Sequence, residues 1–499
     1  MSMTHASDVL KCENLGQKLA ELEEFLNASF HESRPIHEVE RGIWKQLLQI
    51  GQRSLAQFLA LNGTGDMGET VTLPDGEECR RLAELHERRY VSIFGEFHLQ
   101  RTVYGTREGQ KHEFVPLDNR LLLPESVFSY VLQDWDQALC VEEAFGQVQS
   151  TIARMLELKQ SVGSLEHMNQ EMAEEATRYL VNRPVPPAAE EGQIIVASAD
   201  GKGIVMRRDP EAEAPKAHRS KGDKASQKRM ATVGAVYTVD RYVRTPEEVV
   251  AALFRDEREK SKDRPRPQHK RVWASLPQDD ASACGMEAVF SWLDWELHLR
   301  NPGREKEAVY LCDGQETLWQ AVQNKLPDTN AVEILDLLHV TPRLWKAAHV
   351  FHAEKSQEAE KFVRQRVLRV LQGKAEGVIR GLREMATKRE LIGSKKKTLR
   401  EVCGYLEKNL ERMRYDEYLA AGYPIASGVI EGACRHLVKD RMERAGMHWT
   451  APGAQAMLDL RSVFVSGQWE EYQSYRIELE TQRLYRHREA AEPTFSMAS

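Results

Sequence analysis

The spacing of hydrophobic residues divides the chain into helical and strand-forming regions. Leucines and aromatic residues recur at helical spacing through residues 8–62, and a glycine-rich stretch, NGTGDMGET, ends that region near residue 63. Apolar and polar residues then alternate around Gly95 in YVSIFGEFHLQRTVYG, which predicts a β-hairpin. Helical spacing returns at about residues 126–180. Within it, the piece from Phe145 to Met172 is typical of a helix-turn-helix with Val162 and Gly163 at the turn, although an ordinary helical hairpin has the same pattern.

A proline-rich linker, RPVPPAAEEG at residues 183–192, precedes a change to short apolar runs. These runs are typical of buried strands and lie at residues 194–196, 231–239, 271–276, 308–312 and 332–335. Helical patterns lie between them, so we expect an α/β core with a mixed or parallel sheet. From Pro342 to about Tyr418 the pattern is helical throughout, and a last helical piece runs from Ser427 to Arg461.

Length and composition narrow the class of protein. The 499 residues are 41% hydrophobic, which is enough for about three domains. No apolar stretch approaches the roughly 18 residues that cross a bilayer, and the N-terminus lacks the features of a signal peptide. The seven cysteines are scattered and never form a C-x-x-C pair, which argues against disulfides and a zinc site. We therefore expect a cytoplasmic protein without a membrane partner.

Basic residues are clustered, although the formal net charge is −7. Clusters of this kind can neutralise DNA phosphates, but a solvated loop has the same composition. Two clusters provide the candidate DNA contacts, which are Lys216, Arg219, Lys221, Lys224, Lys228, Arg229, Lys270 and Arg271.

Two acidic residues directly follow predicted strands. Asp200 ends the run IIVASAD, and Asp313 ends the run AVYLCD. Ligands of open α/β sheets bind beyond the carboxyl ends of the strands, and two carboxylates there can hold Mg²⁺. Each position also reads as an ordinary Asp-Gly turn.

A third acid, Glu431, lies in a predicted helix that begins after Ser427. It borders the apolar stripe of that helix, and a surface ion pair with Arg435 is the alternative interpretation. Asp336 and His339 form a further pair at D-x-x-H spacing, which puts both side chains on one face if a helix begins there. They could bind metal or position a phosphate; alternatively, Asp336 caps the helix and His339 packs beside it.

Several phrases of the sequence resemble the ISKra group of bacterial insertion-sequence transposases. They are ASADGKGIVMRR, RMATVGAVYTVDRYVRTPEEVVAALF, LCDGQETLW, EILDLLHVTPRLWKAAHVF and GYPIASGVIEGACRHLVKDRMERAGMHWTAPGAQAMLDLRSV, in this order, and the resemblance covers roughly residues 90–470. The resemblance implies an RNase H-like DDE enzyme in which Asp200, Asp313 and Glu431 are the catalytic, metal-holding acids. Asp336 and His339 would match the D-x-x-H motif of Mutator-like transposases and serve as auxiliary residues.

The expected organisation follows from the patterns and the resemblance together. An α/β, RNase H-like core with a mixed sheet is interrupted by an all-helical insertion and preceded by a mainly helical DNA-binding region. The expected regions are a helical N-terminal region (1–62), a hairpin with the helix-turn-helix-like region (63–182), the first part of the core (190–340), the helical insertion (341–424), the last part of the core (425–470) and a charged tail (471–499).

The expected activity is cleavage of transposon ends and strand transfer, with Mg²⁺ as cofactor and Mn²⁺ as a substitute. The expected partners are double-stranded DNA, both terminal inverted repeats and target, and further copies of the chain in a dimer or larger assembly on DNA. Many members of the group carry a zinc ribbon, but Cys79 is the one cysteine in that region here, so we expect no zinc. The alternatives are a non-catalytic DNA-binding protein with the same fold and a nuclease without strand transfer.

Overall fold

A computed structural model describes residues 15–106, 114–207, 228–256, 264–278, 284–326, 330–444 and 446–486. The chain divides into two compact units. One comprises residues 1–179 and 469–499, and the other comprises residues 180–468. Within the described ranges, no helix combines the length and the apolar character that a membrane span requires.

The first unit begins with two helices, α1 (Leu15–His31) and α2 (Ile36–Leu61). A small sheet follows, made of β1 (Thr70–Thr72), β2 (Glu78–Arg81) and β5 (Tyr104–Gly105). The predicted hairpin is confirmed as β3 (His86–Ser92) and β4 (Gly95–Arg101), which pair antiparallel along their whole length. Gly95 has a φ of 128° at the tight connection, a conformation that favours glycine.

Four more helices continue this part of the chain, namely α3 (Pro116–Leu121), α4 (Tyr130–Cys140), α5 (Phe145–Leu156) and α6 (Val162–Asn182). The predicted helical pair is present as α5 and α6, but its turn was misplaced. Glu157 ends α5 with a φ of 55°, whereas Val162 and Gly163 already belong to α6. Apolar residues on both helices, among them Ile152 and Leu165, share one core.

The last described helix, α18 (Trp469–Leu484), belongs to the first unit. Its buried side chains recur at helical spacing and include Trp469 and Tyr472. The Tyr472 hydroxyl donates to the carbonyl of Met172, and the Trp469 indole N–H donates to Asp134 at 2.7 Å. The expectation of a charged tail over 471–499 was therefore wrong for its described part, because these aromatic residues anchor a packed helix.

The second unit is built on a five-stranded mixed sheet with the order β10–β9–β6–β7–β8. The strands are β6 (Ile194–Val205), β7 (Lys228–Val239), β8 (Gln268–Ser275), β9 (Glu307–Cys312) and β10 (Val332–Leu335). Strand β7 pairs antiparallel with both β6 and β8, and these three strands form the antiparallel half of the sheet. Strands β6, β9 and β10 run parallel and form the parallel half. The predicted mixed α/β fold class is confirmed.

Alternate residues of β6 pack into two different cores, as the two-residue period of a strand requires. Ile194 and Val196 lie in the core on one face, whereas Ile195 and Ala197 lie in the core on the other face. The second core also contains residues of α8 (Met286–Arg300) and α9 (Glu316–Lys325), and α7 (Pro246–Phe254) packs at the edge of the first. A sheet with both faces covered explains why its strands are nearly continuous apolar runs.

The predicted helical insertion is confirmed and covers the first face. Its helices are α10 (Leu337–Phe351), α11 (Gln357–Leu371), α12 (Ala375–Lys388), α13 (Gly393–Lys408) and α14 (Tyr415–Ala421). The chain then returns to the sheet through α15 (Gly428–Ala433), a π-helical segment (Cys434–Lys439), α16 (Asp440–Met442) and α17 (Ala451–Val465).

Candidate active site

Three aspartates lie level with one another across the parallel half of the sheet. The parallel pairing of β6 with β9 ends three residues before Asp200 and Asp313, and that of β9 with β10 ends one residue before Asp313 and Asp336. Continuing each strand in the same register places the three residues in a row, which we call the aspartate row. Neighbouring strands are about 4.8 Å apart, and residues at the same level face the same side. That side is the one covered by the helical insertion.

Asp200 lies inside β6 and not at its end. We expected the strand to stop there, but β6 continues to Val205 because it stays paired with β7 after it has separated from β9. The interpretation as an Asp-Gly turn was therefore wrong at this position. The Asp200 carboxylate accepts hydrogen bonds from the Gly201 N–H at 2.7 Å and from the Cys434 thiol at 3.5 Å. Burial, and then the charge of Asp200, raise the pKa of Cys434 well above its ordinary value, so this thiol remains a donor.

Asp313 directly follows β9, as predicted, and several donors converge on its Oδ1. The Tyr405 hydroxyl donates at 2.8 Å and the Gly314 N–H at 2.5 Å, and Nδ1 of His339 lies 3.4 Å from the same oxygen. Among the described residues, Oδ2 has no hydrogen-bond partner. One oxygen of Asp313 is thus held by the protein, and the other is available to a ligand.

Glu431 projects from α15 and is exposed. Ser427 caps this helix as predicted, since its Oγ accepts from the N–H of Ile430 at 3.1 Å. The alternative ion pair with Arg435 does not form, and Arg435 lies 3.6 Å from Asp440 instead. Within the described ranges, the Glu431 carboxylate has no ion-pair or hydrogen-bond partner.

Electrostatic effects link Glu431 to the aspartate row. Its charge contributes to raising the pKa of Asp336 and of Cys434, although burial is the larger cause for both groups. The chain after it is π-helical, and the buried Arg461 donates to two carbonyls of that segment, those of His436 and Leu437. Wide π turns interrupt the regular backbone hydrogen bonds and are frequent at functional sites.

Asp336 occupies the capping position that was one of its two interpretations. Its carboxylate is buried and accepts hydrogen bonds from the N–H groups of Leu338, at 2.8 Å, and of Ser427, at 3.2 Å. Burial raises its pKa to about 6, although these N–H groups and His339 favour the charged form. His339 contacts Asp313 and does not merely pack beside Asp336. The capping interpretation is thus confirmed for Asp336.

A buried polar group connects the elements that carry the acids. Ser198, two residues before Asp200, donates to the carbonyl of Leu311 on β9 and contacts Ser427 Oγ at 3.5 Å. Ser427 in turn binds Asp336 through its backbone N–H. Ser198 and Ser427 are both fully buried. This serine bridge ties β6, β9, β10 and α15 together beneath the aspartate row.

The donor set suits a hard divalent cation such as Mg²⁺, because it consists of carboxylate oxygens and Asp313 keeps one oxygen free. Throughout the described part of the chain, however, no three histidine, cysteine, aspartate or glutamate side chains are grouped so that they could already hold a metal ion. The acids therefore have the right chemistry for the expected metal, but they do not form a preformed coordination site.

The candidate DNA contacts differ in how the structure places them. Lys216, Arg219, Lys221 and Lys224 lie outside the described residues. Lys228 lies 3.0 Å from Glu443, Arg229 donates to the carbonyl of Pro277, and Lys270 is half-buried on β8.

Arg271 does not fit the expected DNA contact. Its side chain is buried and donates to both carboxylate oxygens of Glu296 at 3.0–3.2 Å and to the carbonyl of Pro184. Arg183 donates to the same glutamate at 2.8 Å. The Arg271 guanidinium therefore cross-links β8, α8 and the linker.

Sequence reasoning missed Tyr405 and Ser198. Tyr405 lies in an otherwise ordinary helix, EVCGYLEKN, and nothing in its spacing relates it to Asp313, 92 residues earlier. Ser198 has a weak signal, because it is a hydroxyl residue at an inward position of an apolar strand, and a buried hydroxyl needs a partner.

Comparisons with known proteins do not identify a family for this chain. The sequence matches no protein family profile and no curated protein. Among solved structures, the Drosophila P element transposase strand transfer complex shows similarity over 74% of this chain and 83% of that chain, with 9% sequence identity and a TM-score of 0.24. A likeness at this level carries no argument about function.

Proposed function

We propose that the protein is a DDE transposase that cleaves transposon DNA ends in a metal-dependent reaction and joins them to target DNA. The observation that carries the proposal is the parallel register of β6 and β9, which, continued by three residues, brings Asp200 level with Asp313, while the charge of Glu431 acts on the neighbouring Asp336. The resemblance of five sequence phrases to the ISKra group supports the reaction class.

Asp200 and Asp313 would hold Mg²⁺, or Mn²⁺ in its place, and Glu431 would be the third donor. A bound divalent cation supplies activation of the attacking oxygen and stabilisation of the leaving oxygen in phosphoryl transfer. The residues of the protein prepare the donors: the Gly201 and Gly314 N–H groups orient the two aspartates, and no covalent enzyme intermediate is required.

DNA would approach over basic side chains, of which Lys228 is exposed and Arg229 and Lys270 are half-buried. Lys228, Arg229 and Lys270 remain candidates, together with the four basic residues of the same cluster outside the described ranges. Glu443 lies close to both Lys228 and Lys202, so part of this charge is already balanced within the protein. Joining two transposon ends in one complex requires a dimer or a larger assembly on DNA.

The test is cleavage of a labelled duplex that carries the inverted repeats flanking the coding sequence, with Mg²⁺ or EDTA. The proteins are the wild type, Asp313→Asn, Glu431→Gln and the control Asp240→Asn. Asp240 also follows a strand, but it is exposed at the end of β7, which runs in the opposite direction. We expect Mg²⁺-dependent cutting by the wild type and the control, and a loss on the order of 10³-fold or more for the other two variants.

Other outcomes would change either the set of catalytic residues or the proposed function. Equal cutting by Glu431→Gln and the wild type would remove Glu431 from the catalytic set. Binding of the ends without cutting by any protein would favour the non-catalytic DNA-binding alternative. Cutting without subsequent joining of the 3′ end to a second duplex would favour a nuclease.

A further inference from the structure

The helical insertion sends one polar side chain to the aspartate row. Tyr405 lies on α13, and its hydroxyl donates to Asp313 Oδ1 at 2.8 Å while accepting from the Gly314 N–H at 3.2 Å. The hydroxyl therefore bridges a carboxylate oxygen and the backbone that follows it. Asp313 and Tyr405 are 92 residues apart in the sequence, so the folded insertion is what creates the contact.

The local backbone is shaped to admit this ring. A Cβ at position 314 would lie 2.6 Å from three atoms of the Tyr405 side chain, which is closer than packed atoms can approach. The φ angle of Gly314 is not in the left-handed region, so the approach of the tyrosine and not a turn requires glycine here. The DG pair of AVYLCDGQET thus reflects a ring contact.

Tyr405 is itself held in place. The Arg343 guanidinium lies over its ring, 4.4 Å from the centroid, a distance at which cation–π attraction operates. This stacking holds the tyrosine side chain where its hydroxyl donates to Asp313.

We propose that Tyr405 is a positioning residue that fixes the Asp313 carboxylate through Oδ1 and so leaves Oδ2 free to be a metal ligand. This inference rests on the proposed function. Hydrogen bonds from outer residues commonly fix the orientation of metal-binding carboxylates, and their loss typically costs about 10–100-fold in metal affinity or activity. The helical insertion would then complete the active site, and its docking on the sheet would be a condition for catalysis.

The variant Tyr405→Phe removes the hydroxyl and keeps the ring over Gly314. The matched control is Tyr418→Phe in the same insertion, because the Tyr418 hydroxyl donates to a backbone carbonyl, that of Glu333 at 3.1 Å. Tyr405→Phe loses the hydrogen bonds to Asp313 and Gly314, whereas Tyr418→Phe loses only contacts to the backbone carbonyls of Glu333 and Glu411 and leaves Asp313 untouched. Thermal unfolding monitored by circular dichroism verifies that both are folded.

The first readout is binding of Mn²⁺ alone, followed by the electron paramagnetic resonance signal of the free ion. We expect Tyr405→Phe to weaken Mn²⁺ binding by about 10–100-fold and Tyr418→Phe to bind as the wild type does. In DNA cleavage, raising the Mn²⁺ concentration should restore most of the rate of Tyr405→Phe. A merely structural role would lower the amount of active protein without shifting the metal dependence.

The second readout is a double-mutant cycle. On the Asp313→Asn background, Tyr405→Phe should produce no further loss of Mn²⁺ affinity, because its partner carboxylate is already gone. Equal Mn²⁺ affinity of Tyr405→Phe and the wild type, or additive losses in the cycle, would overturn the role of Tyr405.

The failures of the two proposals are distinguishable. If Asp313→Asn loses binding and cleavage but Tyr405→Phe loses neither, the inference about Tyr405 fails alone. If the wild type binds no Mn²⁺, or if Asp313→Asn binds and cuts as the wild type does, the proposed metal site and the role of Tyr405 fail together.

Discussion

The two halves of the central sheet share strand β6, but they carry different chemistry. In the parallel half, β6, β9 and β10 point the same way, and a carboxylate stands at the same level on or after each strand. In the antiparallel half, β7 reverses direction, and the acid that follows it, Asp240, is exposed at the other edge. Parallel strands bring the residues that follow them to one edge, so only this half can gather functional groups from distant parts of the sequence.

In the antiparallel half, two residues instead pack against helix α8 or link a strand to it. Gly234 on β7 lets α8 approach closely, and Arg271 on β8 is neutralised by the buried Glu296. Substitutions in the antiparallel half should therefore lower the stability, whereas those of Asp200 and Asp313 should lower the activity; substitution of Asp336, which caps α10, should lower the stability in a way that depends on pH. Three substitutions test this expectation through their effects on stability.

The largest effect on stability is expected for Arg271→Ala. Removing it leaves the buried Glu296 with less compensation of its charge, and breaking a buried ion pair typically costs about 3–5 kcal/mol. Urea denaturation measures the free energy of unfolding. The neighbouring Lys270→Ala is the control, with an expected change within about 0.5 kcal/mol. If Arg271→Ala is as stable as the wild type and loses DNA affinity instead, the residue is a DNA contact after all.

An intermediate effect, which depends on pH, is expected for Asp336→Asn at the aspartate row. The folded-state pKa of Asp336, about 6, lies above its ordinary value of 3.8. Its contribution to stability is therefore fully present below about pH 4 and is lost as the pH rises through about 6. The amide cannot titrate, and its NH₂ cannot accept from a backbone N–H group.

The variant should thus be less stable than the wild type at pH 4, and this deficit should shrink toward pH 7. Urea denaturation at several pH values checks the trend, with the exposed Asp240→Asn as a control that shows no such change. A deficit that grows with pH would mean that ionised Asp336 stabilises the fold, through its attraction to His339 and the hydrogen bonds that it accepts from two N–H groups.

The smallest effect is expected for Gly234→Ala compared with Gly201→Ala. A Cβ at position 234 would lie 2.7 Å from the side chain of Val289 and 3.2 Å from Trp292, both on the packed helix α8. Overpacking of this kind costs about 1–3 kcal/mol. A Cβ at position 201 would meet only the flexible end of Met230 at 3.3 Å, so we expect a smaller loss of stability there, measured in the same urea experiment. Equal losses would show that the close packing of α8 against Gly234 does not set the cost of the added volume.

The sequence predicted the elements well where one local pattern decides them. All five strands of the sheet were found from apolar runs, because both faces of this sheet are buried. The extension of β6 beyond Asp200 was not found, since the residues GKG carry no strand signal and are held by their partner β7. A strand boundary that depends on the neighbouring strand cannot be read from its own residues.

The sequence suggested the acids of the candidate site, but not the residues that surround them. Asp200, Asp313 and Asp336 could be related to predicted strands, but their common level became clear only from the register. Arg271 was misread because a buried arginine looks like any basic residue until its partner, Glu296, is known. Tyr405 gave no signal, because its role depends entirely on how the insertion folds back.

Because the chain is synthesised from its N-terminus, the serine bridge forms later than the strands that it joins. Asp200, Asp313 and Asp336 are synthesised early, but Ser427, which joins the strands of the aspartate row to the helix of Glu431, follows 91 residues after Asp336. At about 5–20 residues per second, the nascent protein spends roughly 5–18 s with its aspartates made and the bridge absent. Contacts this distant in sequence also form late in folding. An unfinished or truncated chain would accordingly contain the three aspartates without Ser427, which joins them to the helix of Glu431.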